Sequence, residues 1–165
     1  MMMMAALYVL IVGVVATAAL DLWQQVCRLV FGLPITDWGL IGRWVGHFRD
    51  GQFTQPDIGK AAPVPGERPL GWLVHYVVGI GYAVVYLGLV WLVLGAPPSL
   101  VSALVFAALS VGVTWFFMEP VLGAGVMAAR APNRPVALAH DLSSHLAMGF
   151  GLWAGDLIAR PLIGG

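Results

Sequence analysis

Four apolar stretches, each about the 20 residues needed to cross a bilayer as a helix, dominate this chain of 165 residues. Each carries an ionisable residue near one particular end: Asp21 in the first, His75 in the second, Glu119 in the third and His145 in the fourth. A charge at bilayer depth costs several kcal/mol, so such residues need a partner or a task. Only 10% of the chain is charged and 60% is hydrophobic, against about a quarter charged in an ordinary soluble domain. The expected fold is therefore all-α: an integral membrane four-helix bundle forming one domain over 1–165, with the lipid bilayer as its first partner.

The spans are read as 5–26, 70–94, 99–119 and 141–159. Gly95-Ala96-Pro97-Pro98 closes the second, Pro120 the third and Arg160-Pro161 the last, because proline cannot donate to the preceding turn. No Lys or Arg precedes the first stretch, so it reads as a retained helix and not a cleaved signal peptide. Arg28, Arg43, Arg49, Lys60 and Arg68 flank the first connection, and Arg130 and Arg134 lie in the third. The opposite side has only Arg160. By the positive-inside rule, the two longer connections face the cytoplasm and both termini lie outside it. The first connection opens with a short interfacial helix over 37–48, capped by Thr36 or Asp37 and apolar at Trp38, Ile41, Trp44, Val45 and Phe48. An irregular cytoplasmic loop over 49–69 follows, either mobile or a cover.

Helical spacing sorts the polar residues onto faces. Gly13, Thr17, Asp21, Gln25 and Arg28 form one stripe of the first span, and Trp72, His75, Gly79, Tyr82 and Tyr86 one of the second. The third has a small-residue face from Ala103 and Ala107 through Ser110 and Thr114 to Met118. In the fourth, Ala147, Gly151, Gly155 and Ala159 recur every four residues as a ridge for close helix packing. Beside it run Asp141 and His145, one turn apart and able to hydrogen-bond, and Asp156, placed to pair with Arg160.

Asp21, His75 and His145, with Glu119 as a fourth, make a polar cluster able to serve several chemistries. Thr17, Gln25, Tyr82, Asp141 and Met118 support it. Imidazoles and carboxylates from different helices can hold a metal ion, with His75, His145 and Asp21 as ligands and Met118 and Met148 favouring Cu(I). Haem b would need only His75 and His145 as axial ligands, Gly79 and Gly149 making room for the macrocycle. A protonatable path through Asp21, His75, Tyr82 and Tyr86 would suit a proton-coupled transport module. The broadest reading is an accessory or scaffold subunit of a larger membrane complex, the polar cluster being structural and other membrane protein subunits its partners. No catalytic residue is assigned, since Ser144 beside His145 faces elsewhere on the helix. Eight basic residues balance eight acidic ones, which speaks against nucleic acid as a partner. The single Cys27 reads as an inert buried thiol.

Several motifs carry a resemblance. Thr17-x-x-x-Asp21-Leu22-Trp23, Gly42-Arg43-Trp44-x-Gly46-His47, Gly66-Glu67-Arg68, Gly71-Trp72-x-x-His75-Tyr76, Met118-x-Pro120 with Gly123-Ala124-Gly125, and His145 on its glycine-rich helix together resemble a family of mostly bacterial membrane proteins, domain of unknown function 2938. The resemblance spans nearly the whole chain. It implies a compact polytopic protein of the bacterial inner membrane and carries no established activity.

Overall fold

A computed structural model describes residues 2–163. Every regular element among them is helical. The first, α1 (Met2–Phe31), is one continuous helix that ends at Gly32 with φ of 66°. Helix α2 (Trp38–Gly46) starts where Asp37 accepts a hydrogen bond from the Gly39 amide at 2.9 Å, and a 3-10 turn prolongs it over His47–Asp50. Helix α3 (Glu67–Gly88) begins three residues before the expected position and leads into a π-helical turn, Leu89–Val93.

The third apolar stretch departs from the expected end at Glu119. Helix α4 (Leu100–Val113) passes through a π-helical turn, Thr114–Met118, into α5 (Glu119–Leu122). Pro120 removes one backbone donor and crowds the carbonyl of the preceding turn. The wider π register ahead of it accommodates both effects, so the helix stops at Gly123, where φ is 90°. Helix α6 (Arg134–Ile163) starts well before the expected Asp141 and continues past Pro161. Pro135 stands in the first turn, where its missing N–H is no loss, and Asn133 Oδ1 accepts from the Val136 amide at 3.4 Å.

Three helices are long and apolar enough to cross a membrane: Met3–Phe31, Glu67–Val93 and Leu100–Leu122. Helix α6 covers the fourth expected span but is not one of these three.

The described residues form two compact units. One comprises the residues up to Ile35, Tyr76–Leu109, and those from Ser144 onward. Its helices meet at small residues. A Cβ on Gly151 would lie 2.6 Å from Ala16 Cα, and one on Gly155 2.9 Å from Val12 Cα, so this ridge of α6 packs backbone to backbone on α1. Ala159 is buried as well, while Ala147 is half-buried. On the neighbouring face Gly149 meets the Ala103 carbonyl of α4. Tyr86 is fully buried and its hydroxyl lies 2.9 Å from Ser102 Oγ. Buried Asp156 accepts from Tyr8 Oη and pairs with Arg160 at 2.6 Å, while Arg160 also reaches the Pro98 carbonyl at 3.3 Å. These bonds tie α1, α6 and the α3–α4 turn together.

The other unit comprises Thr36–His75 and Ser110–Ser143. Here α2 packs against its neighbours. Ile41, Gly42 and Trp44 are buried, and no residue of Trp38–Gly46 is fully exposed. Trp38 faces Trp72 at 6.2 Å, and Trp44 meets Phe48 at 4.7 Å and Phe117 at 6.4 Å. Of the five residues expected to contact lipid, Ile41 and Trp44 are buried and Trp38, Val45 and Phe48 half-buried.

Candidate functional site

The residues singled out for chemistry each have a neighbour. Thr17 is buried and its hydroxyl donates to the Gly13 carbonyl of its own helix at 2.7 Å. A Cβ on Gly79 would fall 1.9 Å from Thr17 Oγ1, so only glycine lets α3 come this close. One turn on, Asp21 Oδ2 accepts from Tyr76 Oη at 3.3 Å. The stripe then bends away from the expected line: Gln25 and Arg28 are exposed and Gln24 is buried. Thr17 and Gln24 are seven residues apart, close to two turns of a 3.6-residue helix, whereas steps of four drift around it.

His145 is buried, with the Tyr82 ring edge-on at 6.5 Å, and Tyr82 in turn meets Phe106 at 6.2 Å. His75, in the other unit, is buried and stacked on Trp38, ring centroids 3.6 Å apart and planes 16° from parallel. Trp72 closes a second side at 5.8 Å. Met118 is half-buried in the π turn.

Glu119 and Asp141 hold a loop. The Glu119 carboxylate accepts from the Ala128 amide at 2.6 Å, and the Asp141 carboxyl, which accepts from Trp115 Nε1 at 3.2 Å, adjoins it. Met127 and Ala128 both have φ of 52°, a left-handed conformation costing roughly 1–2 kcal/mol in each non-glycine residue. Further bonds fix them there: Met127 N to the Trp115 carbonyl at 2.9 Å, and Arg134 Nε to the Met127 carbonyl at 2.8 Å. Asp141 serves Trp115 and Glu119. The signal for this pair was weak in the sequence, because nothing in helical spacing links residue 141 to residues 115 and 119.

Among the described residues, no three His, Cys, Asp or Glu side chains gather as a metal ligand set. Cys27 is buried and free.

The most extensive polar construction lies in the first connection. Arg43 grips Glu67 with two parallel bonds, Nε to Oε2 at 2.9 Å and Nη2 to Oε1 at 2.7 Å. Glu67 thereby pushes the Arg43 guanidinium above its usual range. Glu67 Oε2 also accepts from the Val64 amide at 2.9 Å, while Arg43 Nη1 reaches the carbonyl of Ala61 at 3.2 Å and those of Ile58 and Gly59 at 3.5 Å. His47 Nε2 lies 2.9 Å from the Ala62 carbonyl, and Trp44 Nε1 donates to that of Phe53 at 2.8 Å. Beneath this clasp α2 crosses α3 without any side chain between them. A Cβ on Gly71 would overlap the Trp38 carbonyl, and one on Gly42 the Glu67 carbonyl. The far side of the loop is tied down by Gln55 N to the Val121 carbonyl at 2.7 Å, and by Arg130 to the carbonyls of Pro56 at 3.1 Å and Gly123 at 2.8 Å. Residues 51–66 thus lie as a strap bonded to α2 on one side and to the Val121–Arg130 segment on the other.

Many residues behind the family resemblance are the parts of this clasp: Gly42, Arg43, Trp44, Gly46, His47, Glu67, Gly71, Trp72, His75 and Gly123. No curated protein and no solved structure matches the chain. The family model described as "Protein of unknown function (DUF2938)" matches residues 10–159, and the chain belongs to that family.

Proposed function

We propose that this protein is an accessory or scaffold subunit of a larger membrane complex, inserted in the bacterial inner membrane as a four-helix bundle with α6 as the fourth helix. Both termini lie outside the cytoplasm in this reading, and the clasp faces the cytoplasm, supported by the seven-to-one distribution of basic residues.

The observation that carries it is on α3. The helix glycines Gly13, Gly42, Gly71, Gly79, Gly149, Gly151 and Gly155 each sit against a neighbouring element too closely for a side chain. Gly81 and Gly88 differ: a Cβ on either would meet open space. Glycine inside a helix costs roughly 1 kcal/mol relative to alanine, and among the described residues no contact explains that cost here. Val77, Val84 and Val85 flank Gly81 and are exposed, so this face is small and smooth, the surface on which a helix of another membrane subunit packs closely. The engagement of Asp21, Glu119, Asp141 and His75 with internal neighbours supports structural roles for them.

The test is co-purification in a mild detergent. Wild-type protein should leave the membrane in an assembly larger than its monomer, and Gly81→Leu should abolish that assembly without lowering its own thermal stability. A monomeric wild-type protein carrying stoichiometric metal or a Soret band would instead favour the cofactor readings.

A further inference from the structure

We infer that Arg68 and Trp72, one turn apart on an exposed face of α3, form a docking surface for an anionic phospholipid of the cytoplasmic leaflet. The inference rests on the membrane insertion proposed above and not on the assembly. The partners of the basic residues lead to it. Arg43 is forked onto Glu67, Arg49 lies 3.6 Å from Asp50, Lys60 2.8 Å from Asp57 and Arg160 2.6 Å from Asp156. Arg130 and Arg134 donate to backbone carbonyls. Among the described residues, this leaves Arg28 and Arg68 without a hydrogen bond or ion pair to protein.

The two differ in setting. Arg28 stands in the last turn of α1, where the helix dipole favours a cation. Arg68 is the second residue of α3, where the dipole opposes one. In bulk water an exposed guanidinium needs no partner. Arg68, however, opens one of the three helices apolar enough to span a membrane, Glu67–Val93, so insertion carries it to the level of the lipid headgroups. The carboxylates at this end of α3 are committed elsewhere. Glu67 has both oxygens bonded to Arg43 and the Val64 amide, and Asp37, which also acts on Arg43, accepts from the Gly39 amide.

Trp72 supplies the apolar part of the surface. Four residues after Arg68, it lies on the same face about 6 Å deeper along the helix. It is 42% exposed although its ring adjoins Trp38 at 6.2 Å and His75 at 5.8 Å. Leu73 beside it is exposed as well. An indole belongs at the boundary between headgroups and acyl chains. A guanidinium one turn above it meets the phosphate, to which it can donate two parallel hydrogen bonds. A headgroup of net negative charge, such as that of phosphatidylglycerol, supplies the countercharge that the chain does not. A zwitterionic headgroup brings its own ammonium, which competes with Arg68 for the phosphate.

Native mass spectrometry of the full-length protein in mild detergent, with equal amounts of phosphatidylglycerol and phosphatidylcholine added, tests this. The wild type should retain phosphatidylglycerol about tenfold more strongly, the effect of one charge-assisted hydrogen bond. Arg68→Gln should lose that preference, and Arg68→Lys, which keeps the charge without the fork, should keep only part of it. Trp72→Leu should weaken retention of both lipids. Lys60→Gln removes a more exposed cation and should bind as the wild type does. Equal retention of the two lipids by the wild type, or an undiminished preference in Arg68→Gln, would overturn the inference. Equal loss in Lys60→Gln would overturn it too, by reducing the effect to overall charge, as would displacement of the lipid by an equal concentration of inorganic phosphate. Should Arg68→Gln fail to fold, Arg68→Lys decides: an unchanged preference refutes the docking surface and a reduced one supports it. The scaffold reading fails on a different readout, a monomeric wild type, on which lipid adducts are counted just the same.

Discussion

Glycine substitutions separate two kinds of site at the residue scale. At Gly71 an added methyl group collides with the Trp38 carbonyl, which is backbone and cannot rotate away. Gly71→Ala should cost about 1–3 kcal/mol, as overpacking does, and lower the melting temperature read from tryptophan fluorescence in detergent. Gly88→Ala meets nothing and replaces a poor helix former, so the isolated protein should melt at the same temperature or slightly higher. Glu119 is a third case. Glu119→Gln keeps an oxygen to accept the Ala128 amide, whereas Glu119→Ala leaves that amide unpaired at about 1–3 kcal/mol. Rescue by Gln in a thermal melt would identify this acid as a loop anchor, and equal loss in both variants would point to a need for its charge. Burial at Thr17, His75 and His145 was legible in the sequence because helical periodicity reports which face turns inward. Their partners were not legible, because these depend on the rotation of one helix against another. Trp38 beneath His75 and Trp115 beside Asp141 lie outside the stripes that periodicity can see.

At the scale of elements, the apolar stretches and the Asp37 cap were readable from local chemistry, and the boundaries at prolines were not. Pro120 reads as a stop by its own geometry, yet the π turn before it lets α5 continue. Asn133-Arg134-Pro135 begins α6 as a capping sequence, although polarity made the segment look like loop. The loop over 49–69 was the least legible part, since Pro, Gly and charge spell irregular backbone whether it is mobile or pinned. What pins it is long-range: Arg43 bonded to a carboxylate on α3 and to strap carbonyls, with Gln55 bonded to Val121 and Arg130 to Pro56. Arg43→Lys removes the two-pronged geometry while keeping the charge. It should leave the helix content unchanged and make the strap cleavable by protease within residues 51–66. A strap equally resistant in wild type and Arg43→Lys would mean that the bonds of Trp44, His47, Gln55 and Arg130 hold it without the Arg43 fork.

For the whole molecule, the proposed scaffold role makes the ionisable residues near the helix ends parts of the internal framework and the bare glycine face of α3 the outward-looking feature. A chelator should then leave the melting temperature and absorption spectrum of the purified protein unchanged. Single cysteines placed at residues 53 and 96, in a Cys27→Ala background, should label from opposite sides of the membrane. The most direct measurement is the native mass of the protein extracted from its own membranes in mild detergent, wild type beside Gly81→Leu. On the proposed role the wild type should run in an assembly well above its monomer mass, and Gly81→Leu as a monomer with an unaltered melting temperature. A wild type that is already monomeric, or a Gly81→Leu variant that keeps the full assembly, would contradict it.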